Sequence, residues 1–585
     1  MMKHLKKYCV VLVLFCITIA STWALFSQEF FLFHDFTQGA RIVEMTNALH
    51  DGHFPAIWSA NLGYGFGMPL FEFYAPFPYY VGAILYMSGF SLITAVKILL
   101  FISSLVTVIG GFLIGRKLFG TASGLLTSAA ITLAPYRAVN LYVRGALSEA
   151  WGIMCLPFIL LGIVKTIKNE KYGWVLLTAA ITILLLSHNL TALVFLPFSI
   201  IFGAGYLLFE IHENKKKIKQ FWQTFFKLVG SYSLAFILSA FYTIPALLEK
   251  NFTRLESTIL SDYFDYKLHF VSIRQFFTEN WGFTGSTYGP MDGISFYLGF
   301  GQLVGLFVSL YLVFKIVKNI FAKKNKIVLD KQTLMYFLVL VLTGISLLLT
   351  TQKTQFIWDM IPALAFLQFP WRYLSAAIIF LGITAGALVR FLPNVFFKYV
   401  YTVSLLLVLL LMNFNYFKPE EFKSDLSEYY YSDANKLRTT MSTTLPDYIP
   451  IQISQDQINP VALDGQVLYC QVLNNCVGSF EITTNTVQKK VVTVITDSDQ
   501  TVVFAIADFP GWTASIDGKN VEKSQSKEGY VQVQVPAGKH IVSVELKNTN
   551  TRTLANAVSF VGLLIFAGLF FWYHKSNDRN NTSRN

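Results

Sequence analysis

The stretch KILLFISSLVTVIGGFLIGRK, residues 97–117, decides the fold of this 585-residue chain. Between the lysine at its start and the Arg-Lys pair at its end, the segment is uncharged and mostly apolar. As a helix it is long enough to cross the hydrocarbon core of a membrane, which is about 30 Å thick. Helix is the conformation required there, because each unpaired backbone group in lipid costs several kcal/mol. The segment therefore predicts a membrane-spanning helix.

Apolar blocks of similar length recur along the whole chain. The composition agrees, because 54% of the residues are hydrophobic and only 14% are charged, against about 25% charged in a soluble domain. These blocks predict an α-helical polytopic membrane protein and exclude a soluble enzyme. We expect about twelve spans, the second of them a broken pair interrupted near Ser88 and Gly89: 8–26, 78–115, 121–135, 148–164, 173–188, 191–210, 225–246, 294–315, 333–350, 371–389, 399–415 and 553–573.

The distribution of charge predicts the orientation of the spans. The net charge is +12, and lysines and arginines concentrate on the connections that face the cytoplasm when the N-terminus lies inside. This is the positive-inside pattern, and it predicts that both termini are cytoplasmic. Because the basic balance follows from topology, we expect the lipid bilayer as a partner and no nucleic acid.

Four segments on the outer side are too long to be simple turns: 27–77, 136–147, 247–293 and 351–370. They are rich in aromatic residues, Gly and Pro, and Trp or Tyr lies near the span ends, as is typical of interfacial anchors. The inner connections are mostly short and lysine-rich. We therefore expect residues 1–415 to form a transmembrane domain whose function lies on its outer face.

Residues 416–552 differ in composition from the rest of the chain. Long apolar runs give way to alternating residues, which is typical of strands with one buried face. The alternating runs are VVTVIT at 491–496, TVVFAIA at 501–507, YVQVQV at 530–535 and HIVSVEL at 540–546. We expect a small extracytoplasmic β-sandwich-like domain, followed by a final span and a cytoplasmic tail over 553–585. Cys470 and Cys476 could pair there, which their spacing alone does not decide.

The first outer segment opens with His34 and Asp35 directly after the first span. Residues 36–49 have the apolar spacing of a helix lying along the membrane surface. Asp35 with Gln38 three residues later is an N-cap pattern, which stabilises a helix by ~1 kcal/mol. A catalytic carboxylate above the membrane is the alternative reading of Asp35. Glu72, flanked by aromatic residues, is more often the structural partner of an arginine than a base.

Ionisable residues at the outer ends of spans are further candidates, because such positions are costly in lipid and usually functional. Arg144 and Glu149 flank the start of one span, where they either pair with each other or bind a ligand. His188 lies between two apolar runs and is either an interfacial residue or a ligand contact. Trp371 and Arg372 begin another span, where the arginine either reaches the interface or holds a lipid phosphate by two hydrogen bonds.

Several longer motifs resemble a family of bacterial multi-span membrane proteins. The family carries the label 6-pyruvoyl-tetrahydropterin synthase-related and lies close to the YfhO-type membrane proteins. The motifs are PLFEFYAPFPYY at 69–80, LYVRGALSEA at 141–150, LLSHNLTAL at 185–193, YTIPALLE at 242–249 and LQFPWRYL at 367–374. The segments FPGWTASIDGK at 509–519 and VPAGKH at 535–540 look like the C-terminal part of YfhO-type proteins. The resemblance covers nearly the whole chain.

The resemblance implies a C-type (GT-C) membrane glycosyltransferase architecture and not pterin chemistry. In such enzymes an acidic catalytic residue follows the first span, a position that Asp35 occupies here, and Glu72 is the alternative base. The donor would be a polyprenyl-phosphate sugar, and the acceptor an envelope glycopolymer or glycolipid. Arg144 and Arg372 would stabilise the phosphate of the leaving group. The implied substrate-binding set is His34, Arg144, Glu149, His188, Trp371 and Arg372.

Two other classes of function stay open at this point. A transporter or flippase of lipid-linked saccharides needs a polar path through the membrane, and Lys97 is a rare charge within the spans. A non-catalytic scaffold for envelope assembly would use the β-domain for binding and Asp35 only as a cap. The sequence has no metal-ligand spacing and no nucleotide-binding loop. Whether a divalent metal is required, and which sugar is moved, the sequence does not reveal.

Overall fold

The computed structural model describes residues 2–214, 218–259, 262–321, 330–424, 426, 429–453, 468–470 and 479–582. Its α-helices are α1 Met2–Thr22, α2 Gln38–His50, α3 Leu70–Phe73, α4 Phe77–Met87, α5 Leu92–Phe119, α6 Thr121–Thr132, α7 Pro135–Ala138, α8 Leu147–Ile167, α9 Gly173–Ser187, α10 Asn189–Asn214, α11 Ile218–Leu238, α12 Ala240–Leu248, α13 Leu255–Ile259, α14 Phe300–Phe321, α15 Lys331–Leu348, α16 Gln355–Met360, α17 Leu374–Ala387, α18 Val395–Asn413, α19 Tyr429–Ser432, α20 Ala434–Lys436 and α21 Asn550–Thr582. Its strands are β1 Leu468–Cys470, β2 Ser479–Asn485, β3 Lys489–Thr496, β4 Gln500–Ala507, β5 Trp512–Ile516, β6 Lys519–Val521, β7 Ser524–Gln525, β8 Tyr530–Val535 and β9 Gly538–Leu546.

The helices confirm a polytopic membrane protein but change the number of spans. Within the described ranges, nine helices are long and apolar enough to cross a membrane, and α11 with α12 adds a tenth as a pair bent by 71°. The predicted break near Ser88 separates α4 from α5, and α5 alone has the length of a span. The predicted spans at 121–135 and 173–188 are helices of only 12 and 15 residues. Their apolar composition predicts spans, but the helices that form are shorter than the 18 residues that a span needs.

Small residues bring the central helices α5, α6 and α17 into close contact. A Cβ on Gly115 of α5 would lie 2.6 Å from Oγ1 of Thr127 in α6, and one on Gly386 of α17 would lie 2.4 Å from the same atom. Without a hydrophobic driving force between helices in lipid, such close packing is what holds them together. Helices α8 and α17 are the most enclosed, with 89% of their span residues buried.

The strands form two antiparallel sheets, with orders β1-β4-β8-β7 and β2-β3-β9-β5-β6. Alternate residues of β8 and β9 are buried, as the sequence pattern predicts: Val531, Val533, Val535, Val542 and Val544. All four predicted strand runs coincide with β3, β4, β8 and β9. Cys476 lies outside the described residues, so a Cys470–Cys476 pair stays an expectation.

The long loops and the sheets meet at one end of the helix bundle, which we call the loop face. It comprises the described residues of the segments 27–77, 133–147, 249–299, 349–373 and 416–549, and hydrogen bonds join these segments, for example Ala507 N–H to Phe66 O at 2.8 Å. Lys97 is explained there, because its Nζ donates to the carbonyls of Ser27 and Glu29 at 2.7 and 3.0 Å. These contacts order the chain leaving α1.

Helix α2 has the predicted extent but a different location. Ile42, Met45 and Ala48 are completely buried, and so are the polar residues Gln38 and Glu44 on its other sides. The helix therefore lies inside the loop face and not along a membrane surface. Apolar spacing predicted one buried side, and polar partners from 59–61 and 79 bury the other.

Candidate functional site

A cleft of about 660 Å³ opens in the loop face, above the ends of the central helices. Its walls come from seven segments that are distant in sequence: 34–41, 73–75, 144–149, 188–190, 255–294, 366–372 and 444–448. All the predicted site residues except Glu72 line this cleft. The cleft is therefore where the predicted residues can act together.

Asp35 lies at the cleft wall and accepts hydrogen bonds from side chains. Thr37 Oγ1 and Gln38 Nε2 each donate to it at 2.8 Å. The buried guanidinium of Arg41 contacts both carboxylate oxygens at 2.9 Å. The capping interpretation is corrected, because Thr37 holds the N-cap position of α2 and no cap hydrogen bond from a side chain is present there. The Asp35 side chain is 30% exposed, so one edge of it remains open to the cleft.

A glycine turn places Asp35 beside Arg144. The amides of His34 and Asp35 donate to the carbonyls of Val143 and Arg144 at 3.0 and 2.9 Å. Gly145 follows with φ +59°, and a Cβ on it would lie 1.9 Å from the Phe33 ring. Its carbonyl accepts a hydrogen bond from Gln38 at 2.9 Å. Glycine is thus required for the first loop to pack against the VRGALS turn.

Arg144 and Glu149 form the ion pair that the sequence left as one of two readings. Arg144 Nη1 lies 2.7 Å from Glu149 Oε2, and Tyr136 Oη donates to Glu149 Oε1 at 2.5 Å. The Arg144 guanidinium also lies over the Trp371 ring, 4.6 Å from its centre. Glu149 is therefore a buried anchor that fixes the direction of Arg144, and Trp371 supports the same guanidinium.

Arg372 differs from the other arginines of the cleft in having few partners. Its Nη2 donates to Gln368 Oε1 at 3.3 Å, while its Nε and Nη1 are buried and have no hydrogen-bond partner among the described residues. Leaving charged donors buried and unpaired is costly. The guanidinium is therefore prepared for an anion that enters the cleft.

The two histidines of the cleft are neutral at ordinary pH. Burial lowers the pKa of His188 to about 3, and its Nδ1 accepts the Thr191 amide at 3.1 Å. That contact leaves the proton on Nε2 as a donor. Burial also lowers the pKa of His34, whose Nε2 lies 2.9 Å from the Phe283 carbonyl. His188 can therefore donate from Nε2, and His34, whose Nε2 donates to that carbonyl, can accept at Nδ1, in neither case adding charge to the cleft.

Asp447 is a cleft residue that sequence reasoning missed. Burial raises the pKa of Asp447 to about 6, which nearby Arg41 partly opposes. The residue reaches the cleft because the segment around it pairs with 252–254, with Arg254 N–H donating to Ile449 O at 3.1 Å. The only sequence signal is a single acid between Pro446 and Tyr448, within the stretch read as β-domain.

Glu72 lies outside the cleft, which corrects its assignment as the alternative base. Its carboxylate is 2.9 Å from Arg552 Nη2, and the same nitrogen lies 2.6 Å from Glu249. All three side chains are at most 5% exposed. Burial raises the pKa of Glu72 well above its ordinary value, against the opposing effect of Arg552. The residue is a structural partner of an arginine, the reading that the sequence favoured.

Nowhere in the described part of the chain do three or more His, Cys, Asp or Glu side chains come close enough to hold a metal ion. Asp35 and Glu149 are each engaged by an arginine and a hydroxyl group instead.

Comparison with known proteins relates residues 71–417 to the family described as "6-pyruvoyl-tetrahydropterin synthase related domain; membrane protein". No curated protein matches the sequence. Among solved structures, arabinofuranosyltransferase AftD from mycobacteria is similar over 72% of this chain, with 14% identity and a TM-score of 0.43. An oligosaccharyltransferase from Archaeoglobus fulgidus, solved with zinc and sulfate, is similar over 71% of this chain, with 14% identity and a TM-score of 0.40. This chain spans 28% of the first structure and 54% of the second.

Proposed function

The chain belongs to the family of membrane proteins described as 6-pyruvoyl-tetrahydropterin synthase related, and from that membership and the cleft we propose that it is a membrane glycosyltransferase. It moves a sugar from a polyprenyl-phosphate donor to a glycopolymer or glycolipid of the bacterial cell envelope. The loop face lies outside the plasma membrane, and both termini lie in the cytoplasm.

The observation that carries this proposal is the Arg372 guanidinium. It has two buried, unpartnered nitrogens among the described residues and faces the same cleft as Asp35. A phosphate offers several strong acceptors to such a group. At the end of a membrane span, a phosphate attached to a lipid tail is the anion that reaches the cleft while its tail stays in the bilayer. Arg144, fixed by Glu149, supplies a second cation nearby.

The proposed reaction transfers the sugar at its anomeric carbon. The bond between that carbon and the phosphate oxygen breaks, and its electron pair leaves with the polyprenyl phosphate. The acceptor hydroxyl oxygen forms the new bond, and its proton passes to a carboxylate of the cleft. Arg372 and Arg144 stabilise the negative charge as it develops on the leaving phosphate. The neutral His188 donates to a sugar or phosphate oxygen, and His34 accepts from a sugar hydroxyl.

Asp35 is the proposed general base, and Asp447 is a second carboxylate in reach of the same cleft. Asp35 holds its place through Arg41, Thr37 and Gln38, so its exposed edge points in a fixed direction. A positioned base contributes roughly 10²–10⁴-fold to a rate. The base and the phosphate donors line one cavity, as transfer between two substrates requires.

The test is the sugar composition of envelope polymers in a strain lacking this gene. Mass spectrometry compares the deletion strain with strains that express the intact protein, Arg372→Gln or Asp35→Asn. We expect one sugar to disappear on deletion and return only with the intact protein. In isolated membranes, Arg372→Gln should lower the transfer rate roughly 10²–10³-fold, because one donor to the leaving charge is lost.

Arg390→Gln is the matched control, since Arg390 lies at the far end of the same span and pairs with Asp330 on the opposite face of the bundle. It should restore the sugar fully. If the parent strain expresses the protein and the deletion strain has the same envelope sugars, the glycosyltransferase proposal is overturned. Equal transfer by Arg372→Gln and the intact protein would remove the phosphate role of Arg372.

A further inference from the structure

A second cavity, of about 230 Å³, lies between the C-terminal end of α2 and the β-sheets. Asn47, Asp51 and Asn61 line its first wall, while Lys490 of β3 and Trp512 of β5 line the opposite wall. The cavity is a built junction, because Asp51 Oδ2 accepts the Val487 amide across it at 2.7 Å. Its volume suits a single sugar ring and not a long ligand.

Two side chains of the β-sheets that carry hydrogen-bond donors line this cavity. The Nε1–H of Trp512 is buried and has no hydrogen-bond partner in the part of the chain that the structure describes. Its indole packs edge-on against Trp58 at 5.5 Å between ring centres, which fixes its orientation. Lys490 contacts Asn485 Oδ1, and burial lowers the pKa of Lys490 to about 8. Lys490 is therefore still cationic at neutral pH.

The opposite wall offers amide groups held in fixed positions by one buried acid. Glu44 is completely buried and accepts hydrogen bonds from Asn61 Nδ2 at 2.7 Å and from Ser59 Oγ at 2.6 Å. Because Asn61 donates to Glu44, its carbonyl oxygen is left as an acceptor for a ligand hydroxyl. Amide acceptors on one side, a cation and an indole donor on the other, and aromatic rings beneath are a set that recognises an acidic sugar.

Two elements run from the transfer cleft to this second cavity. Helix α2 contributes Arg41 to the cleft and Asn47 to the second cavity, a separation of roughly 9 Å along the helix axis. The segment 437–448 does the same, with Arg438 in the second cavity and Asp447 in the cleft. The two cavities are thus neighbours along both elements.

We propose that the second cavity binds one acidic sugar unit, bearing a carboxylate or a phosphate, of the acceptor whose growing end lies in the transfer cleft. This inference rests on the proposed glycosyltransferase function for the identity of its ligand as an acceptor. The binding of an acidic sugar itself rests only on the cavity.

Binding is measured by saturation-transfer NMR on the full chain in lipid nanodiscs, with glucuronic acid, glucose 6-phosphate and glucose as probes. We expect at least one acidic sugar to bind about 10-fold more tightly than glucose, because a charge-assisted contact to Lys490 adds to the hydrogen bonds. The response of the two acidic probes distinguishes a carboxylate from a phosphate. Equal binding of all three sugars would overturn the proposal.

Variants locate the binding. Lys490→Gln should reduce the acidic probe to the affinity of glucose, whereas Lys489→Gln, the matched control on the same strand, should change nothing, since Lys489 pairs with Glu545. Trp512→Phe removes the indole donor together with part of the ring and should weaken binding several-fold. Arg372→Gln should leave this binding intact. Loss in Arg372→Gln but not in Lys490→Gln would assign the acidic sugar to the cleft and refute the second site.

The two proposals fail in different ways. Binding that depends on Lys490, in a chain without any transfer activity, would refute the glycosyltransferase and leave a saccharide-binding site. Transfer without binding at Lys490 would refute the second site alone. With both correct, Lys490→Gln raises KM for a long acceptor and leaves kcat unchanged, because the variant loses contact with a remote sugar and no contact with the reacting atoms.

Discussion

At the residue scale, the cleft places two carboxylates in different electrostatic surroundings. Asp35 is surrounded by donors, among them the buried Arg41 at 2.9 Å. Burial raises the pKa of Asp447 to about 6, and the nearby charge of Arg41 opposes this rise only in part. Asp447 therefore changes its protonation closer to neutral pH than an ordinary aspartic acid does.

The raised pKa of Asp447 predicts a pH dependence. The residue is mostly protonated at pH 5 and mostly ionised at pH 7, so a step that needs its charge accelerates as the pH rises through about 6. Asp447→Asn should remove this rise, whereas Asp35→Asn should lower transfer at every pH. Transfer rates in membrane vesicles between pH 5 and pH 8 provide the measurement. A flat profile for the unchanged protein would exclude Asp447 from the reaction.

The sequence predicts the role of a residue well when the partner of that residue is close to it in the chain. The Arg144–Glu149 pair is five residues apart at a span start, and the structure shows it. Asp447 could not be found, because the hydrogen bond that brings its segment to the cleft joins Arg254 to Ile449, which are 195 residues apart in the sequence. The spacing of Asp35 and Gln38 fits an N-cap, but it equally fits the observed contact, in which the Asp35 carboxylate accepts a hydrogen bond from the Gln38 side chain.

At the element scale, the turn after Arg144 predicts a sensitive position. Gly145→Ala should destabilise the protein by about 1–3 kcal/mol, because φ +59° is strained for alanine and the added carbon meets Phe33. Transfer should fall as well, since this turn places Asp35 beside Arg144. Thermal unfolding in detergent and transfer in vesicles measure both effects.

Gly230→Ala in α11 is the matched control for that prediction. A Cβ there meets no described atom within 4 Å, and alanine favours a helix interior by roughly 0.5–1 kcal/mol. It should leave transfer unchanged and stability equal or slightly higher. Equal effects of the two substitutions would show that the Gly145 turn does not position the cleft.

Elements with strong periodicity were predictable, and elements decided by contacts were not. Alternation in β8 and β9 follows directly from one buried face, so sequence and structure agree there. Helices α6 and α9 are mostly apolar, but they end at Thr132 and Ser187 and are shorter than a span. Helix α2 shows the same limit, because its burial depends on partners from other loops.

At the scale of the whole molecule, Arg552 joins parts of the chain that are far apart. It starts the last helix, contacts Glu72 and Glu249, and donates from Nη1 to the Pro510 carbonyl at 3.0 Å. The arginine thus fastens the β-sheets and α21 to the first loop and to the end of α12. Removing one partner of a buried ion cluster costs about 3–5 kcal/mol.

Arg552→Met should therefore lower the free energy of unfolding by about 3–5 kcal/mol, measured by thermal or chemical unfolding in detergent. The loss should be greater at pH 8 than at pH 5. Because burial raises the pKa of Glu72, the stabilisation from its protonated form is present at low pH and is lost as the pH rises and the carboxyl must ionise. Arg552 opposes that loss, so removing the arginine costs more at high pH. Glu72→Gln keeps the arginine and its other partner, so it should fold and retain transfer. A strong loss of transfer in Glu72→Gln with normal stability would return Glu72 to the list of bases.

The proposed binding of the acceptor in both cavities would also control the length of the product. An acceptor with only one or two sugars fills the cleft alone, whereas a longer one also reaches the cavity beside Lys490 and gains a second point of attachment. The first additions are then slow, and later ones are fast, so product lengths should divide into very short and long chains with few between. The positions of helix α2 and of the segment 437–448 would then select the length, without a separate domain that measures it.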